Sequence, residues 1–159
     1  MLLYLVQHAD SKKEEEDPAR PLSEKGAQDI RLMAGYIGKL NLLVSEILHS
    51  KKLRARQTAE VLAETLHPAK GVSESDRLAP MDDPLTWQDR LKYMPDSANE
   101  NFLLVGHLPH LGKLASLLLC GDAEKNIISF RMAGVVCLQR DEKGDWSVKW
   151  MITPDMLDK

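Results

Sequence analysis

Histidine and arginine gather at three places in this sequence, each just after a short apolar run. Gln7-His8-Ala9-Asp10 follows Leu2–Val6. His49-Ser50-Lys51-Lys52-Leu53-Arg54-Ala55-Arg56 closes and follows a run beginning at Glu46. Gly106-His107-Leu108-Pro109-His110 follows Phe102–Val105. Imidazole acts as nucleophile or proton carrier near neutral pH without unusual tuning. Arginine adds a planar fork matched to phosphate oxygens. Helices starting just after Ser50 and His107 would aim backbone N–H groups into the same space. If the three places share one edge of the fold, the chemistry is capture of a phosphoryl group, with a histidine placed to attack it.

The surrounding elements predict such a shared edge. Leu2–Val6 and Phe102–Val105 are continuous apolar runs, the pattern of strands covered on both faces, and Glu46–His49 reads as a further short strand. Between them lie segments of helical period. Ile30, Met33, Ala34 and Ile37 follow an N-cap at Ser23 and stop at Gly38. Thr58, Val61, Leu62, Thr65 and Leu66 stop before Pro68. Leu111, Leu114, Ala115 and Leu118 follow Pro109, which suits a first turn. The stretch from Lys70 to Glu100 is broken by Pro80, Pro84 and Pro95, with a short helix over about Leu85–Tyr93. Beyond it the period drops to two, Val135 and Cys137 and then Trp146, Val148, Trp150 and Ile152, joined through Asp141–Asp145 as a hairpin. The order predicts an α/β fold over residues 1–159 as one domain. A mostly parallel sheet lies between helical layers, with antiparallel strands added at the C-terminal end. Sites in such sheets lie beyond the carboxyl ends of the strands, where the histidines fall.

Composition narrows the function classes. Of 159 residues, 43% are apolar, enough for a core, and 21 Lys plus Arg against 24 Asp plus Glu leave a net charge of −3. That balance speaks against a nucleic-acid binder. No run reaches the length of a membrane helix, and the apolar start lacks the basic flank of a secretory signal. Cys120 and Cys137 have neither disulfide nor metal-knuckle spacing, so a cytoplasmic protein with two reduced, buried thiols is expected. Leu117–Cys120 reads as core. His107 and His110, with His49, have no clear third-ligand spacing, so no metal is expected.

The chain resembles the histidine phosphatase (phosphoglycerate-mutase-like) superfamily, and within it the short SixA-type phosphohistidine phosphatases. The carriers are Leu5-Val6-Gln7-His8-Ala9, Arg20-Pro21-Leu22-Ser23-Glu24-Lys25-Gly26, Ser50 with Arg54-Ala55-Arg56-Gln57-Thr58-Ala59, and Val105-Gly106-His107-Leu108-Pro109. The resemblance covers nearly the whole chain and implies a three-layer αβα sandwich. It implies that His8 is the nucleophile that becomes phosphorylated, that Arg54 clamps the phosphate, and that His107 contacts the phosphoryl oxygens. Arg20 falls where the short phosphatases place an arginine by the pocket mouth; read alone, it is equally a loop partner of Asp17 or Glu16. The implied substrate is a phosphohistidine-bearing protein, met by a monomer with no cofactor. The helical insertion that carries a glutamate acid in larger members has no room here.

One position departs from that pattern. Gln7 stands where the family has arginine. A neutral amide donates a hydrogen bond but brings no charge, and losing one charged clamp slows transfer by about one to two orders of magnitude. Arg56, Lys51 and Lys52 are nearby cations that could replace it. The departure leaves two alternatives open beside the protein phosphohistidine phosphatase. One is a small-molecule phosphomonoesterase, with Asp82 or Asp83 as general acid and Asp83 within substrate reach. The other is a phosphoryl-binding module without turnover. Read without the resemblance, Asp82 and Asp83 form a polar turn before the Pro84 helix.

Overall fold

The computed structural model describes residues 1–97 and 100–157. Six strands form one sheet: β1 (Leu2–Gln7), β2 (Glu46–His49), β3 (Val72–Glu74), β4 (Phe102–Gly106), β5 (Val135–Arg140) and β6 (Trp146–Ile152). Their order across the sheet is β3-β2-β4-β1-β5-β6. The first four run parallel, while β5 is antiparallel to β1, and β6 to β5. This is the mostly parallel sheet with antiparallel C-terminal strands that the alternation of apolar runs predicts.

Helices cover both faces: α1 (Glu24–Ile37), α2 (Leu53–Leu66), α3 (Pro84–Tyr93), α4 (His110–Cys120) and the short α5 (Pro154–Leu157). Strand parity divides the core. Tyr4, Val6, Ile47, Leu103 and Val105 pack with Ile30, Met33 and Ile37 of α1 and Leu62 of α2. Leu3, Leu5, Phe102 and Leu104 pack with Trp87 and Leu91 of α3 and Leu111 and Leu114 of α4. Burial of the central strands on both faces explains why β1 and β4 read as unbroken apolar runs.

Some expectations need correction. Val72–Glu74 gave no strand signal because all three residues are exposed on an edge. The four residues of α5 are too few to show a period. Pro109 stands before α4 as its N-cap, after a cis Leu108–Pro109 bond, rather than inside the first turn. Leu117 is buried, but Leu118 and Leu119 are only partly so, and Cys120 is exposed because α4 ends there at a left-handed Gly121. Only Cys137 is the buried thiol expected.

The loop after β1 is tied to the start of α1. Ser23 caps the helix by accepting from Gly26 N at 3.0 Å and donates its hydroxyl to the Asp10 carboxylate. The Ser23 amide donates to the Asp10 carbonyl at 3.0 Å. Here Gly26 is required by close approach: a Cβ at this position would lie 1.9 Å from the Asp10 carbonyl oxygen. Gly26→Ala is therefore expected to destabilise the protein by about 3 kcal/mol, the upper end for overpacking, as measured by denaturant unfolding. A change under about 0.5 kcal/mol, the range of ordinary surface substitutions, would show that the loop and helix separate freely.

Candidate active site

Three parallel strands end at one edge, and the ladder fixes what comes next. Gln7 pairs with Gly106, and His49 with Val105. The ladder runs one residue further on each side, with His8 N donating to Gly106 O at 3.1 Å and Ser50 N to Val105 O at 3.2 Å. His8, Ser50 and His107 are thus the first residues beyond β1, β2 and β4. The rings of His8 and His107 have centroids 4.9 Å apart, with planes inclined at 52°.

His8 is oriented by its own neighbour. Its Nδ1 lies 2.7 Å from the Ala9 carbonyl oxygen. A carbonyl only accepts, so Nδ1 carries the proton and Nε2 keeps its lone pair. Ala9 is fixed in turn, because its amide donates to Thr58 Oγ1 at 3.0 Å, and that hydroxyl donates to Arg54 O at 2.7 Å. Burial lowers the His8 pKa below the ordinary histidine value. The Ala9 bond acts against this, and the charges of Arg54 and Arg20 add to the lowering.

His107 is buried, and its Nε2 lies 2.6 Å from Ser50 Oγ. That oxygen also accepts from Lys52 N at 3.3 Å. Burial, then the neighbouring His8, Arg54, Lys52 and His110, hold the His107 pKa down at about 3, so the ring is neutral at physiological pH. Among the described residues its Nδ1 has no hydrogen-bond partner, nor has the buried Nε of Arg54. Arg54 sits in the first turn of α2, where burial and the charge of Arg20 lower its pKa.

Arg20 adopts a left-handed backbone, with φ of 49°. The ion pair with Asp17 or Glu16 does not form. Its Nε donates to Lys12 O and its terminal nitrogen to Ser11 Oγ, each at 3.1 Å. So held, its charge acts on both His8 and Arg54.

Other candidates sit further back or are engaged elsewhere. Gln7 is half-buried at the end of β1, with the strand parity of Leu3 and Leu5. Asp83 caps α3, accepting from Leu85 N at 3.0 Å, and Asp82 accepts from Ala79 N at 2.9 Å. Arg56 pairs with Glu60 one turn along α2, at 3.1 Å. The Nδ1–H of His49 donates to its neighbour's carbonyl at Ser50. His110 is fully buried, and among the described residues its ring nitrogens have no hydrogen-bond partner. Among the described residues no three metal-ligating side chains come together, and no helix is long and apolar enough to cross a membrane.

Sequence reasoning placed Thr58 on a helix face and Ser50 in a motif, but gave no site role to their hydroxyls, which brace the histidines. Each bonds across a sequence separation of 57 or 49 residues. The signal available was their place in the stretch from Ser50 to Thr58, which also carries Arg54.

Comparison with known proteins places this geometry in context. Residues 3–94 match the histidine phosphatase superfamily (branch 1). An uncharacterised protein of Picosynechococcus sp. is 36% identical over 147 residues, covering 87% of this chain and 85% of that protein. The phosphohistidine phosphatase SixA of Escherichia coli is 25% identical over 155 residues, covering 97% and 94%. A solved structure of the protein histidine phosphatase SixA complexed with tungstate superposes with a TM-score of 0.86 at 25% identity, over 99% of this chain and 100% of that one.

The depressed pKa of His107 has a consequence for stability. The unfolded chain takes up the His107 proton near pH 6.5, whereas the folded protein resists until about pH 3. Between these values the unfolded state binds more protons, so stability falls as the pH drops from about 6.5. His8 and His110 are shifted in the same direction and add to the slope. In an NMR titration the His107 ring is expected to stay neutral down to about pH 4. Protonation near the ordinary histidine value would contradict the burial described.

Proposed function

This chain belongs to the histidine phosphatase superfamily, and from that premise we propose that it removes phosphate from phosphohistidine on a protein through a covalent intermediate on His8. The observation that carries the reading is the His8 ring itself: Nδ1–H committed to the Ala9 carbonyl, Nε2 free, and the His107 ring 4.9 Å away.

In the first step the Nε2 lone pair attacks phosphorus in line, and the phosphorus–nitrogen bond of the substrate breaks. The departing imidazole holds a proton on its other nitrogen and leaves neutral. In the second step water attacks the phosphorus on His8, giving inorganic phosphate and a proton. His8 also leaves as neutral imidazole, because its proton stays on Nδ1 throughout. One backbone carbonyl thus serves both attack and departure.

Phosphoryl transfer has a loose transition state, and charge on the equatorial oxygens must be met by donors already in place. Arg54 supplies a fixed positive charge and Arg20 a second at the edge. Neutral His107, its ring held in position by Ser50, lines the site beside His8 without adding charge. The substrate class follows from the leaving group. An alkoxide needs a strong acid, an imidazole protonated on its far nitrogen does not, and the carboxylates of Asp82 and Asp83 are engaged in a turn and a helix cap. This supports a phosphorus–nitrogen substrate over a small phosphate ester.

A panel of phosphorylated histidine carriers, mixed with the wild-type protein and with His8→Ala, tests the reading. The wild type is expected to release phosphate and to carry acid-labile phosphate on His8 transiently. His8→Ala should lose at least about 10³-fold in rate, as expected for removal of an obligatory nucleophile. Tight phosphate binding without turnover would favour a binding module instead, and preference for an aryl phosphate would favour a phosphomonoesterase.

A further inference from the structure

The cradle around His8 lacks a charge at Gln7, and the structure shows which group is free to make it up. Among the cations on the first turn of α2, Arg54 already acts on His8 through its charge and Arg56 is bound to Glu60. Lys51 lines a cleft that Ser50 shares with the carboxylates of Glu74 and Asp76 and with Arg77 at the end of β3. Lys52 differs from all three in its main chain, whose amide is bonded to the Ser50 hydroxyl. It is the N-cap of α2, two residues before Arg54, and among the described residues neither its ammonium nor that of Lys51 has a carboxylate within ion-pair distance.

Its backbone is fixed against the site. The Lys52 amide donates to Ser50 Oγ, the oxygen 2.6 Å from His107 Nε2. Two hydrogen bonds therefore link the Lys52 main chain to the ring beside His8. The side chain is exposed, with a flexible four-carbon stem. Its charge acts on His107 alongside that of Arg54.

We propose that Lys52 supplies the positive charge that arginine would bring at position 7, its ammonium meeting an equatorial phosphoryl oxygen from the α2 side of the site. The assignment rests on the phosphoryl-transfer reading above. A lysine ammonium suits the task as a mobile point charge, whereas an arginine at the end of β1 would act from the strand side as a rigid fork. The protein then keeps its complement of charge while changing the direction from which it is delivered.

A double-mutant cycle between Lys52 and Gln7 tests this, with kcat/KM for a phosphohistidine carrier and acid-labile labelling of His8 as readouts. Lys52→Ala is expected to lower kcat/KM by about tenfold or more, the loss of one charged contact, and Lys52→Arg to restore most of it. Lys51→Ala, removing the neighbouring charge, should cost less than about twofold, as for an exposed charge making no contact. Gln7→Arg should gain less than about threefold in the native background and about tenfold in the Lys52→Ala background, because one charge stands in for the other.

Equal losses from Lys51→Ala and Lys52→Ala would show a diffuse field and overturn the proposal. So would a large gain from Gln7→Arg with no loss from Lys52→Ala. Failure of wild type and Gln7→Arg alike to label His8 would instead overturn the phosphoryl-transfer reading, and the role of Lys52 with it.

Discussion

A single hydrogen-bonded thread, from the His8 ring through Ala9 and Thr58 to the Arg54 carbonyl, sets the geometry on which the rest depends. Thr58 accepts at one side and donates at the other, so its one hydroxyl joins the end of β1 to the first turn of α2. The ring of His8 and the main chain of Arg54 are therefore tied together although 46 positions separate them in the chain, the difference between 54 and 8. Placement of reacting groups before the substrate arrives is what lets fixed dipoles act without reorganising during the reaction.

The same region holds polar groups whose bonding the protein leaves incomplete. Arg54 Nε and His107 Nδ1 are buried with no hydrogen-bond partner among the described residues, and each such group costs on the order of 1–3 kcal/mol. The sheet edge tolerates this because the core beneath it is fully apolar on both faces of β1 and β4. Positive charge is concentrated in the same place. Arg20 is kept there by neutral acceptors, Lys12 O and Ser11 Oγ, instead of being neutralised by an acid of its own loop. A site assembled in this way is matched to an anion and poorly suited to a cation.

Much of the scaffold was legible because burial writes itself into residue choice. Strands β1 and β4, covered on both sides, had to be apolar throughout, and α1 announced itself by Ser23 and by Ile30, Met33 and Ile37. Where burial is absent the text is blank, as at exposed β3. Cys120 misleads for the same reason in reverse: three leucines before it resemble core, yet α4 turns that end towards solvent. The histidines could be found from their places after apolar runs, whereas the roles of Ser50 and Thr58 could not. A serine or threonine is common anywhere, and only the tertiary fold says which distant group its hydroxyl meets. Arg20 was ambiguous on similar grounds, since a nearby acid in sequence is not a nearby acid in space.

The separation of the two facing rings has an ancestry in the sheet. Neighbouring strands lie about 4.8 Å apart, and Gln7 is in register with Gly106, so the 4.9 Å between the rings of His8 and His107 is the sheet's own spacing carried one residue outward. Insertion of one residue into either strand would advance one ring by about 3.3 Å and swing it to the opposite face. Connections at the opposite end of the sheet can lengthen without touching this spacing, whereas those that carry Ala9, Arg20 and Ser50 hold the site itself. The two central strands themselves tolerate changes of letter but not of count.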